Sequence, residues 1–146
     1  MKILVLHGPN LNLFGRREPH IYGTMTLAEI NKRLQALARE LKVQLAVLQS
    51  NHEGELVDFF HKHMDSAAGA ILNPGALTQH GVSLHDCIKA MPFPVLEVHM
   101  SNIAAREGAN KAANMVFPRP VVVATGLLPP VRSMLSYNRK LAYIAF

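Results

Sequence analysis

The chain has one cysteine, Cys87, in 146 residues, so an internal disulfide framework is excluded, and no Cys/His cluster of metal-ligand spacing accompanies it. No apolar run approaches the roughly 20 residues needed to span a bilayer. The opening stretch of residues 1–6 is apolar, but it passes straight into Gly8-Pro9 where a signal peptide would carry a small-residue cleavage site. These absences predict a cytoplasmic protein with no membrane association. The chain also lacks any run of one charge. Its 15 Lys and Arg outnumber its 10 Asp and Glu, for a net charge of +5. Yet the basic residues are scattered from Lys32 and Arg33 to Arg139 and Lys140, with no aromatic-interleaved stripe, which argues against nucleic acid. A small anionic ligand is served equally well by positive charge concentrated at one site. No repeat, low-complexity segment or linker divides the sequence, and 49% hydrophobic residues suffice for one core, so residues 1–146 read as a single domain.

What is present is an alternation of apolar runs and helical spacings, the pattern of βα units around a parallel sheet. Residues 2–7 read as the first buried strand. Thr26 followed by Glu29 is a capping box that starts a helix to about residue 41. Residues 43–48 form the next strand, 53–66 a helix with Leu56, Phe59, Phe60 and His63 at helical spacing, and 68–72 a strand ending at Asn73-Pro74-Gly75. A helix over 82–91 precedes a strand over 94–99. A helical turn near 103–107, a fifth strand over 121–124 and a helix running from Pro129-Pro130 to about 142 complete the reading. The expected fold class is α/β: a flavodoxin-like three-layer sandwich on a five-stranded parallel sheet of order 2-1-3-4-5.

Polar residues gather where three of these strands end: His7-Gly8-Pro9-Asn10, Asn73-Pro74-Gly75, and His99-Met100-Ser101-Asn102. Singly, the first two are ordinary turn formers. Jointly they converge on one crevice, the place where open α/β sheets bind ligands. Glu97 and His99 are two apart on a strand and share a side. Two readings of them stand open: a structural pair closing the strand, and a carboxylate-oriented general acid working near neutral pH. The segment 8–25 is long for a βα connection and suits a lid or binding loop. It carries Arg16, Arg17 and Tyr22. A tyrosine serves as a base only with its phenolate stabilised, because its ordinary pKa is about 10, and a neighbouring arginine supplies that charge. A solvated Arg16-Arg17 pair beside a packing tyrosine is the other reading. Residues 49–55 read as a strand-to-helix cap, with Asn51 and Glu55 as supporting groups.

Taken together, Leu6-His-Gly-Pro-Asn-Leu-Asn-Leu13, Gly15-Arg-Arg-Glu-Pro-His-Ile-Tyr-Gly23, Gln49-Ser-Asn-His-Glu-Gly-Glu-Leu56, Asn73-Pro-Gly-Ala76 and Glu97-Val-His-Met-Ser-Asn-Ile103 resemble type II 3-dehydroquinate dehydratase, in register over residues 2–107. The resemblance implies conversion of 3-dehydroquinate to 3-dehydroshikimate and water without a cofactor, by a homododecamer built as a tetramer of trimers. It implies Tyr22 as the base at C2, Arg17 as its charge partner, and Asn10 as a stabiliser of the enolate through an ordered water. His99, oriented by Glu97, is the implied acid. Asn73, Gln79, Met100, Ser101 and Arg106 are implied to hold the substrate, with Asp86 reaching a neighbouring subunit's site.

The chain departs from that family in four places. His7 stands where the family usually has asparagine. Leu77-Thr-Gln-His-Gly81 replaces Tyr-Thr-His-Thr-Ser, so Gln79 occupies the place of a substrate-binding histidine and His80 lies beside it. Ala109-Asn-Lys-Ala-Ala-Asn114 replaces Phe-Arg-His-His-Ser-Tyr, and Gly126-Leu-Leu-Pro-Pro130 replaces a glycine-rich motif. Gln79 raises the alternative of a paralogue acting on a related cyclic polyol acid. The altered stretch 109–117 raises that of a binding or scaffold protein without turnover.

Overall fold

Side chains alternate along Lys2–His7 (β1), and both of its faces are apolar: Ile3 and Val5 on one, Leu4 and Leu6 on the other, all buried. A strand apolar on both faces must be covered on both. The structure, a computed structural model whose described residues are 1–17 and 23–100, covers each face with helix. Leu27–Glu40 (α1) lays Ile30, Leu34 and Leu37 against Ile3, Val5 and Ile71. On the opposite face Glu53–His63 (α2) contributes Leu56 and Phe60, and Val82–Ala90 (α4) contributes Leu84 and Cys87, against Leu4, Leu6 and Leu72. At about 1.5–3 kcal/mol for each fully buried large apolar side chain, these two layers are the main favourable term holding the sheet.

Gln44–Gln49 (β2), Gly69–Asn73 (β3) and Val95–Glu97 (β4) complete a four-stranded parallel sheet among the described residues, in the order β2-β1-β3-β4. The register sets His7 beside Gln49 on one side and Asn73 on the other, and Leu72 opposite Glu97. The polar strand ends therefore finish flush. From β1 the chain moves outward to β2 and then returns past β1 to β3, so the order reverses between β1 and β3 and a crevice opens there.

The capping box at α1 is formed: Glu29 N–H donates to Thr26 Oγ1 at 3.3 Å, and Thr26 N–H to Glu29 Oε2 at 2.8 Å. The helix closes with Val43 N–H bonded to Ala38 O and Lys42 N–H to Arg39 O, the Schellman pattern, with Lys42 left-handed at φ 56°. Two elements differ from expectation. The strand expected over 94–99 is laddered only over Val95–Glu97, and α2 ends at His63, after which Ser66 N–H turns back to His63 O. A one-turn helix, Leu77–His80 (α3), follows directly from the Asn73-Pro74-Gly75 turn, with Leu77 N–H donating to Pro74 O. The expected turn at 103–107, strand at 121–124 and helix at 129–142 lie outside the described residues. Among the described residues no helix is long and apolar enough to cross a membrane.

Candidate active site

The floor of the crevice is main chain meeting main chain. Gly8 N–H donates to Asn73 O at 2.8 Å, and a Cβ placed on Gly8 would fall 2.4 Å from Pro74 O. No residue with a side chain fits without moving that loop. Gly75 completes the contact from the other strand: it is left-handed at φ +58°, and its Cβ would lie 3.1 Å from Pro9 O. Asn73, buried, turns its Oδ1 back to accept from Gly75 N–H at 3.3 Å, the local bond that makes Asn-Pro-Gly a turn.

Asn10 stands at the rim, exposed and left-handed at φ 66°, a conformation that asparagine tolerates better than most residues. Its N–H donates to Asn51 Oδ1 at 2.9 Å, and Gln49 Nε2 donates both to Asn51 Oδ1 at 3.2 Å and to Gly8 O at 3.3 Å. The end of β2 thus braces the loop after β1. Asn51 is a supporting group, as its place in the sequence suggested. Glu55 closes the same turn by accepting from Ser50 Oγ at 2.6 Å. Glu53 reaches across to the next helix, where its Oε1 accepts from Leu84 N–H at 2.8 Å and caps α4. Beneath the rim His7 faces α1, fully buried, with Nε2 at 2.9 Å from Asn31 Oδ1. The Asn31 oxygen is an acceptor, so Nε2 carries the hydrogen, and the bare Nδ1 is buried with no hydrogen-bond partner among the described residues. Burial pushes the His7 pKa below its ordinary value against the opposing pull of Asn31.

Beyond β3, on the next strand, Glu97 and His99 meet. His99 Nε2 lies 2.6 Å from Glu97 Oε1, and both residues are 5% exposed. Although the ladder stops at Glu97, the chain stays extended enough that the two side chains share the α3–α4 side of the sheet. A third residue joins them: Thr78 Oγ1 donates to the same Glu97 Oε1 at 2.6 Å and stands 3.4 Å from His99 Nε2. Both donors converge on one carboxylate oxygen, and Glu97 Oε2 is buried without a partner among the described residues. A proton must sit between Nε2 and the carboxylate, which leaves Nδ1 as the nitrogen with which His99 can act on a substrate.

The remaining expected site residues are placed as follows. Arg17 is exposed, its N–H bonded to Leu13 O at 3.0 Å where the loop departs. Gln79 is half-buried and His80 exposed on α3. Met100 packs against the α1-side core. Asp86 is exposed on α4, where it lines an open groove against α2 with Val57, His61 and Lys89. Tyr22, Ser101 and Arg106 lie outside the described residues. Cys87 is buried, and burial, followed by the charge of Asp86, raises its thiol pKa, which makes it a poor nucleophile. No cluster of three His, Cys, Asp or Glu suited to a metal occurs among the described residues. Sequence reasoning passed over Thr78: its partners are 19 and 21 residues away, and the only local sign was that it matches the threonine in the family's Tyr-Thr-His-Thr-Ser pattern. It likewise missed the bond from His7 to Asn31, which spans 24 residues.

Comparison with known proteins places these features in a wider set. The family described as dehydroquinase class II matches residues 1–129. The 3-dehydroquinate dehydratase of Pelotomaculum thermopropionicum is 52% identical over 111 residues, 76% of this chain and 77% of that protein. Among solved structures, the type II dehydroquinase of Butyrivibrio crossotus superposes with a TM-score of 0.82 at 29% identity, covering 94% of this chain and 98% of that one. That of Propionibacterium acnes does so with a TM-score of 0.76 at 34% identity, covering 92% and 93%.

Proposed function

Because the chain belongs to the class II dehydroquinase family, we propose that it dehydrates 3-dehydroquinate to 3-dehydroshikimate, a step of the shikimate pathway, through an enolate, with Tyr22 as base and His99 as acid. The observation that carries the reading is the buried 2.6 Å contact between His99 and Glu97 at the end of β4. A carboxylate on one ring nitrogen supports positive charge on the ring and fixes which nitrogen delivers the proton.

The Tyr22 phenolate, with Arg17 as its charge partner, takes a proton from C2, and the electron pair moves onto the C3 carbonyl as an enolate. Asn10, through an ordered water, stabilises that developing charge. The enolate collapses, the C1 hydroxyl departs, and His99 gives it a proton so that it leaves as water. The tyrosine ends protonated and the histidine deprotonated, and solvent exchange resets both. No electron leaves or enters the substrate, so the reaction as written needs no redox cofactor. Asn73, Gln79, Met100, Ser101 and Arg106 are assigned to the substrate's carboxylate and hydroxyls. Asp86, exposed on α4, is assigned to a neighbouring subunit's site in a cytoplasmic homododecamer. Support for the enolate-side assignment comes from the brace around Asn10, which fixes a residue that must meet charge without rearranging.

The test is direct: incubate the purified chain with 3-dehydroquinate and follow the absorbance of the conjugated enone product. Turnover is expected. Binding of dehydroquinate without turnover would overturn the enzymatic reading in favour of a binding protein.

A further inference from the structure

Glu97 holds His99 through one oxygen, which raises the question of what holds Glu97. A glutamate side chain has three rotatable bonds, and Oε2 has no hydrogen-bond partner among the described residues, so the bond to His99 alone leaves the carboxylate able to exchange its two oxygens. The missing restraint comes from α3. Thr78 is 3% exposed, and its hydroxyl is 2.6 Å from Glu97 Oε1. As a β-branched residue on a helix, its χ1 is restricted. The helix itself is pinned: Leu77 and Thr78 N–H donate to Pro74 and Gly75 O at 3.2 and 3.3 Å, and Gly81 N–H returns to Leu77 O at 2.7 Å. The hydroxyl is therefore presented from a fixed point that grows directly out of the Asn73-Pro74-Gly75 turn at the crevice floor.

We propose that Thr78 is a positioning residue for the acid: its hydroxyl locks the Glu97 carboxylate so that Oε1 faces His99 Nε2, which sets the imidazole tautomer and leaves Nδ1 to deliver the proton. This rests on the reading of His99 as the acid. A purely structural threonine would alter stability and leave the proton-transfer step alone, whereas a positioning threonine alters kcat with substrate affinity intact.

Thr78→Val removes the hydroxyl while keeping the shape, and Thr78→Ser keeps the hydroxyl. Both are compared with His99→Gln and with the Thr78→Val/His99→Gln double variant. Thr78→Val is expected to lower kcat about tenfold or more with KM within about twofold, a part of the 10²–10⁴-fold worth of a general acid. Thr78→Ser should restore most of the rate, and the double variant should be no slower than His99→Gln alone, because two residues acting through one step do not add. If His99→Gln is slow while Thr78→Val matches wild type, or if the two losses multiply in the double variant, the role of Thr78 is overturned and the acid stands. If His99→Gln itself retains the wild-type rate, the acid assignment fails first. Thr78 is then judged on the ring alone, by 15N-histidine magic-angle-spinning spectra with His99 assigned by difference. Those spectra are expected to show the neutral His99 ring protonated at Nε2 in wild type and a mixture of tautomers in Thr78→Val. An unchanged tautomer overturns the proposal whatever the kinetics.

Discussion

His7 shows how much a single buried ring can govern. Its Nδ1 is buried with no hydrogen-bond partner among the described residues, and its pKa is lowered by burial, so the folded state binds its proton less readily than the unfolded chain does. The stability this represents is complete above the unfolded value of about 6.5 and is lost as pH falls below it toward the lowered folded value. Urea unfolding between pH 8 and pH 5 should show the midpoint falling on the acid side, with a smaller fall in His7→Asn, a substitution toward the residue the family resemblance leads one to expect there. A shallow slope should remain, because His63 is also shifted down, by slight burial and then by Lys2 and Lys62. An identical slope in the two proteins would remove His7 as its source. In catalysis, Tyr22→Phe should nearly abolish kcat while leaving the fold and ligand binding intact, and His99→Ala should cost on the order of 10²–10⁴-fold; steady-state rates with 3-dehydroquinate decide both. Residue-level legibility was uneven. Glu97 and His99 were visible because two positions on a strand share a side. Thr78 was invisible because its reason for being there is 19 residues away and on another element.

The elements whose signals are local were the ones the sequence announced. Thr26 and Glu29 form their box within three residues, and the structure begins α1 at Leu27. Thr26→Ala should lower stability by about 1 kcal/mol, read as a shift in the denaturation midpoint at unchanged m-value. At the other end Lys42 occupies the left-handed position usually given to glycine. Lys42→Gly should raise stability by roughly 0.5–1 kcal/mol, the relief of that conformation being partly offset by the freer unfolded glycine. A midpoint that falls would show that the lysine side chain makes a compensating contact. By contrast α3 is one turn long, too short to carry a periodicity, and it follows Asn-Pro-Gly, which reads only as a turn. The shortening of β4 to Val95–Glu97 was equally illegible, since Val98 and His99 keep the alternation of a strand after ladder pairing has ended.

At the scale of the sheet, the order of the four described strands was readable because a strand apolar on both faces, such as Lys2–His7 or Gly69–Asn73, demands a helix layer on each side and hence crossover connections. Assembly was not, because a helix such as α4 presents Asp86 and Val82 to solvent in one chain without saying what another copy would do. The proposed homododecamer is tested by light scattering, which should give a mass twelve times the 16.1 kDa of the chain; a monomer would leave Asp86 without a neighbouring site to serve. Gly8→Ala tests the junction of the two halves of the sheet. With the new methyl 2.4 Å from Pro74 O, backbone must move, and a loss of about 1–3 kcal/mol is expected from such overpacking, together with a fall in kcat.

That junction also sets what the protein can become. Where two stretches of backbone touch through glycines, no exchange of side chains can deepen the space below them, since there is no side chain to shorten, and any enlargement at Gly8 collides with Pro74. The depth of the crevice is in that sense fixed by the chain itself. Adaptation to a longer or bulkier acid would have to come from the rim, at positions such as Asn10 or Gln79. A library that varies the rim and spares Gly8 and Gly75 should yield folded variants of altered preference, while one that varies the two glycines should yield chiefly destabilised proteins of reduced activity.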